Sequence, residues 1–211
     1  IDIVNQVPLE TYLPGVLDKE LYAKWHPEMF RSQAVAARSY AIDRQARNQD
    51  QHFDLESTTK SQVYGGTTTN AKAINAVADT RGVVLAYQNW VLPAYYSSAC
   101  GGLGQDAAGA FPGEVLLPPL QGFKHGACCA ASKYYQWGPI ARNHQTLTKR
   151  LAQWGGHQKP THPVTFLSQI QSIAITQRNQ VGRPTQWTIT DNRNRRFTLP
   201  AESFRFACNY E

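Results

Sequence analysis

A chain of 211 residues with 42% apolar content has ample material for a packed core. No run of about eighteen apolar residues occurs in it, so no helix is expected to span a membrane. The formal net charge of +6 favours anionic polymers or surfaces, but the positive residues are scattered and no recognition motif accompanies them, which argues against nucleic acid.

The chain opens at IDIVNQVPLE with neither a charged n-region nor an apolar h-region, so a signal or anchor is expected either to have been removed or never to have existed. Pro8 suits the first position of a helix, where its missing N–H has no partner, and Leu9, Tyr12, Leu13, Val16 and Leu17 follow as an apolar stripe. Pro14 and Gly15 within that stripe are expected to bend or loosen it. A second helix opens at Pro27 and carries Phe30, Ala34, Ala37 and Ala41 on one face, with Arg38 at its edge. Glu20 falls in the link between the two helices. Leu21, Tyr22 and Trp25 surround it with apolar surface, and desolvation raises a carboxyl pKa toward values useful to a general acid.

Arg44 to Gln51 reads as a loop or frayed helix end, and Phe53 to Gly66 as a turn-rich segment ending in a glycine pair. Thr67 to Asn70 can cap a third helix extending to Thr80. Val83 to Tyr87 and Val91 to Tyr96 predict a hairpin with Gln88-Asn89 as its two-residue link. Residues 103 to 130 read as a long irregular loop, and Thr146 to Trp154 as a short basic helix. Three strands are expected at Phe166 to Arg178, Gln186 to Asp191 and Arg195 to Leu199, with a turn over Asp191 to Asn194 and a helical turn over Ala201 to Cys208. The whole reads as an α/β (α+β) fold, a helical layer packed with β-hairpins and a β-rich C-terminal part. It is expected to form a single domain over 1–211, with 164–211 as a minor lobe at most and the natural seam near 155–163.

Cys100, Cys128, Cys129 and Cys208 lack C-x-x-C spacing. Disulfides in an exported protein, buried free thiols, and a structural zinc using His125 and Cys128 all remain open from the residues alone. No metal and no cofactor is expected.

The stretch from Val7 to Tyr40 resembles the SpoIID family, the stage II sporulation protein D and amidase-enhancer group. That family's pattern runs VPLE-x-Y-x-x-G-V, then an acid, a Pro-led helix and QA-x-AAR-S/T-Y. Val7 to Glu10, Tyr12, Gly15, Val16, Glu20, Gln33, Ala34, Ala36 to Arg38, Ser39 and Tyr40 carry the match. Further blocks follow in order at 57–66, 80–85, 95–102, 132–137 and 182–189. One block departs. Many members of the family carry a pattern resembling D-x-C-D-T-T-H-C-Q-x-Y, whose thiols and imidazole can hold zinc. Here Glu56, Lys60 and Ser61 replace them, so no metal is carried over to that loop and something else must brace it.

The resemblance implies an exported cell-envelope protein acting on peptidoglycan glycan strands as a lytic transglycosylase, with no transmembrane segment in this chain. It makes Glu20 the catalytic acid and places Arg38 near it. Gln62, Tyr64, Tyr95, Tyr96, Ser97, Ser98, Gly101, Gly102, Tyr134 and Trp137 are the expected substrate-binding residues, the aromatics for sugar faces and the serines and glycines for acetamido groups. The alternative is a non-catalytic glycan-binding protein that stimulates a cell-wall amidase. An acid among apolar neighbours weighs toward the enzyme.

Overall fold

The computed structural model describes residues 3–59, 61–111, 113–124 and 126–210. Lys60 and His125, both singled out by sequence, lie outside the described residues. The chain divides into two compact units, Ile1–Tyr96 and Ser97–Glu211. Among the described residues there are six α-helices and two small antiparallel sheets, a mixed α/β architecture. No described helix is long and apolar enough to cross a membrane.

Three helices build the first unit: α1 (Leu9–Glu20), α2 (Pro27–Arg47) and α3 (Ala71–Asp79). The helix α1 stays unbroken through Pro14, and Leu13, Gly15, Val16 and Leu17 are buried along it. Local start signals fix the other two. His26 Nδ1 accepts from the Glu28 N–H ahead of α2, with Pro27 in the first turn, and Asn70 accepts from the Lys72 N–H ahead of α3. The second helix runs through to Arg47, beyond the fraying expected from Arg44, because Arg44 and Arg47 complement the negative end of its dipole. Phe30, Ala34 and Ala37 meet Leu13, Val16, Leu17, Ala73, Ala76 and Val77 in one core. The small alanines let the helices approach closely.

The expected hairpin is present but short, β1 (Ala86–Tyr87) with β2 (Trp90–Val91). Gln88 (φ 48°) and Asn89 (φ 65°) make the left-handed two-residue turn. Pairing stops early because the Leu85 N–H is taken by Ser39 Oγ of α2 and Pro93 follows close behind.

In the second unit a four-residue helix α4 (Ala107–Ala110) and a 3-10 turn (Pro118–Leu120) punctuate the long loop. Next come α5 (His144–Gln158), a 3-10 turn (Pro163–Phe166), the meander β3 (Ile170–Arg178), β4 (Pro184–Asp191) and β5 (Arg196–Pro200), and α6 (Ala201–Cys208). Strand β3 begins four residues later than expected, since Pro163 and the His162 side chain nucleate a 3-10 turn there instead. Phe197 and Leu199 alternate inward to join Ile189, Leu151, Trp154, Val164 and Ala207. The expected seam at 155–163 lies inside this unit. A Cβ on Gly155 would meet the Thr165 N at 2.8 Å, so α5 presses directly on the turn after it.

Candidate active site

Tyr12, Val16 and Glu20 follow one another at four-residue spacing along α1 and so share a face. The extended segment 61–66 lies along this helix because Gly15 leaves it room: a Cβ there would meet the Gly66 carbonyl at 2.1 Å and the Tyr64 ring at 2.7 Å. Tyr64 thereby comes to lie against Tyr12, ring centroids 4.9 Å apart. Gln62, with no exposed surface, ties the arrangement together. Its Nε2 donates to the Ala37 carbonyl (3.2 Å) and to Tyr96 Oη (3.3 Å), and its Oε1 accepts from Tyr12 Oη (3.2 Å).

Glu20 is the last residue of α1 and is half-buried. Burial pushes its carboxyl pKa up, and the Val63 backbone N–H, which donates to it, pulls the other way without cancelling the rise. The negative end of the helix dipole also disfavours a carboxylate at this position. Tyr96 is pushed up to about 12 by its own burial and then by the charge of Glu20; Tyr12 moves up by its own burial, then by the neighbouring tyrosines Tyr96, Tyr40 and Tyr64, and least by Glu20. Both phenols therefore remain protonated donors close enough to feel the acid. Among the described residues, no second carboxylate and no guanidinium is among the groups acting on Glu20.

Arg38, expected beside the acid, is engaged elsewhere. It is 1% exposed and grips Glu10 with two parallel bonds of 2.9 Å, Nε to Oε1 and Nη2 to Oε2. Its remaining N–H groups reach the Val77 carbonyl (3.2 Å) and the Val83 carbonyl (3.1 Å). It thus clamps α1, α3 and the stretch leading into the hairpin onto α2. The Arg38 hydrogen bond holds the Glu10 carboxyl below its ordinary range. Gln62 likewise braces other side chains, and Tyr95 Oη accepts from Arg44 Nη2 at 3.1 Å, its ring set edge-on to Tyr40. The loop that lacks the family's zinc ligands is held by α2 and the residue after it: Gln45 Nε2 donates to Asp54 Oδ2 (3.2 Å) and Asn48 Nδ2 to the Asp54 carbonyl (2.7 Å). Tyr12 and the Val63 N–H were not among the expected site residues. The helical spacing of Tyr12 from Glu20 was the signal that could have found the first.

The other expected residues belong to the second unit. Ser97 and Ser98 are exposed. Gly101 (φ 64°) and Gly102 (φ 84°) form a left-handed turn whose close approach is to the chain itself, since a Cβ on Gly102 would meet the Gly126 carbonyl at 2.8 Å. Tyr134 and Trp137, the latter 72% exposed, lie 6.3 Å apart with the indole N–H on the Tyr134 carbonyl. A broad cleft of about 1070 Å³, lined by Thr146, Lys149, Arg150, Gln153, Ser168 and Tyr210 among others, holds none of the expected residues. All four cysteines are free thiols. Cys208 is pushed up to about 11 by burial, while Cys100, Cys128 and Cys129 gather with their sulfurs within 4.8 Å of one another.

Residues 1–87 match the family model described as SpoIID, stage II sporulation protein. An uncharacterized protein of Brachyspira hyodysenteriae is 32% identical over 192 residues, 90% of this chain and 48% of that protein. The amidase enhancer of Bacillus subtilis is 40% identical over 90 residues, 43% of this chain and 12% of that protein. Stage II sporulation protein D of the same organism is 31% identical over 120 residues, 49% of this chain and 35% of that protein. The chain thus spans about half the length, or less, of the curated relatives it matches.

Proposed function

Over residues 1–87 this chain belongs to the SpoIID family, and from that premise we propose that it acts in the cell envelope as a peptidoglycan lytic transglycosylase. It cleaves the β-1,4 bond between N-acetylmuramic acid and N-acetylglucosamine and leaves 1,6-anhydromuramyl ends. The observation that carries this reading is the half-buried, raised carboxyl of Glu20, on which no second carboxylate acts among the described residues. A hydrolase of the usual kind needs two carboxylates, one to protonate the leaving oxygen and one to activate water or attack the sugar. A transglycosylase needs one. Glu20 donates its proton to the departing glycosidic oxygen, then accepts the proton of the muramyl C6 hydroxyl as that oxygen closes on C1.

Burial and the helix end favour the protonated form that the first step requires, and the Val63 N–H stabilises the carboxylate between the two steps. The phenols of Tyr12 and Tyr96, held in place by Gln62, supply neutral donors on the acid's side. Arg38 acts on folding and positioning only.

The second reading, a non-catalytic glycan-binding stimulator of a wall amidase, rests on the likeness of 90 residues to the amidase enhancer. Digestion of purified glycan strands, followed by mass analysis of their ends, separates the readings. Anhydro ends are expected. Reducing ends bearing added water would indicate a hydrolase, and intact but bound strands that speed an amidase would favour the stimulator.

A further inference from the structure

We propose that Cys100, Cys128 and Cys129 form a binding site for one zinc-class divalent ion. The Cys100 and Cys129 sulfurs lie 3.7 Å apart, and all three Sγ atoms fall within 4.8 Å of one another. Ligands about 2.3 Å from a tetrahedral zinc lie roughly 3.8 Å from each other, so the spacing is that of two thiolates sharing an ion. Three sulfurs and no carboxylate select zinc or a softer ion over magnesium or calcium.

The surroundings are built to the same end. The backbone N–H groups of Cys100 and Gly101 donate to the Cys129 sulfur. Gly101 and Gly102 provide the left-handed turn that aims them, and Gly102 lies so close to the Gly126 carbonyl that the two cysteine-bearing turns seat on each other. An isolated bridge between Leu103 and Lys124, with the Gly104 N–H on the Phe123 carbonyl at 2.8 Å, fixes the register of the two loops. Arg183 Nη1 reaches the Cys100 carbonyl (3.3 Å) and the Leu103 carbonyl (2.9 Å). Its positive charge offsets the single negative charge of three thiolates on one divalent ion. Binding releases the three thiol protons to solvent and involves no redox change. Cys128 is exposed, which gives the ion a way in. Such an ion would cross-link a long loop that has little secondary structure of its own, and the proposal does not depend on the glycan chemistry above.

The test uses the full chain purified with its thiols reduced. Elemental analysis is expected to find one zinc per chain. Cobalt(II) titration should give a thiolate-to-cobalt charge-transfer band and the visible bands of a tetrahedral site. Cys100→Ser and Cys129→Ser should each weaken zinc binding by about 10–100-fold or more, the loss that removing even an outer partner brings, whereas Cys208→Ser should keep it intact. Adding a chelator to the wild type should speed proteolysis within 97–135. Reduced wild-type protein that gives no cobalt–thiolate band overturns the proposal without relying on any variant. So does a Cys100–Cys129 disulfide in protein that takes up no zinc after reduction, or zinc retained when all three cysteines are serine.

Discussion

The two units keep their chains in place by different means. In the first, segment 61–66 pairs with no strand among the described residues; it is held through Gln62, the Gly15 gap and the Val63 N–H, while Arg38 ties the stretch just before the hairpin to α2. In the second, β3, β4 and β5 satisfy one another's backbone through an antiparallel ladder over an apolar core, continuous between β4 and β5 and shifted in register near both ends of β3. Asp191, fully buried, serves a turn: it accepts from the N–H groups of Arg193, Arg195 and Ser168 and from the Arg195 guanidinium. A ladder spreads its support over many residues, whereas side-chain clamps concentrate it in a few. Single substitutions should therefore be costlier in the first unit, and that is where the acid sits.

The largest effect is expected at Glu20. Replacing it with Gln keeps shape and hydrogen bonding but leaves no proton to donate, so formation of anhydro ends should fall by about 10²–10⁴-fold while strands still co-sediment with the protein. Since the carboxyl must be protonated and its pKa is raised, wild-type activity should decline as pH rises through that value. Normal cleavage by the Gln variant would remove Glu20 from the mechanism. Next comes Arg38→Ala. It leaves Glu10 without its partner and the Val77 and Val83 carbonyls without a donor. A loss of roughly 3 kcal/mol or more is expected from urea unfolding, since two carbonyls lose their donor at about 1–3 kcal/mol each. A loss below about 1 kcal/mol would show that the clamp is dispensable.

The contrast sharpens with single carbons. Gly15→Ala adds one where the Gly66 carbonyl and the Tyr64 ring already stand, and should cost about 1–3 kcal/mol. Ile189→Val removes one from the core of the second unit and should cost about 0.5–1.5 kcal/mol. Equal midpoint shifts for the two would break the comparison. The smallest effect is the acid limb set by Glu10. Its folded pKa is depressed by Arg38, so its contribution to stability is present above the unfolded value of about 4.3 and fades as pH falls through the folded one. Glu10→Gln should flatten that limb in a stability-against-pH series and lower cleavage far less than Glu20→Gln does.

Much of the fold was legible where a few adjacent residues decide it. Asn70 ahead of α3, Pro27 in the first turn of α2, Gln88-Asn89 at the hairpin tip, the turn at 191–194 and the helix at 201–208 are all short-range choices of dihedral and cap. Strand length was not legible, because the Leu85 N–H could pair with a strand or with Ser39, and the sequence does not say that α2 lies within reach. At the site, Glu20 was legible as an acid near a helix end among apolar neighbours.

What tertiary structure alone decided are the pairings across long separations. Arg38 and Glu10 are 28 residues apart, and no pattern says that this arginine prefers Glu10 to Glu20. Gln62 reaches Tyr12 and Tyr96 from 50 and 34 residues away, which turns an expected sugar-binding side chain into an internal brace. Cys100 and Cys129 meet over 29 residues only because two glycine turns and one backbone bridge bring their loops together. Dihedral preference and capping act over a few residues and can be read directly. Which distant polar groups meet is fixed by how helices and loops pack, and each buried donor or charge then takes the partner that packing leaves within reach.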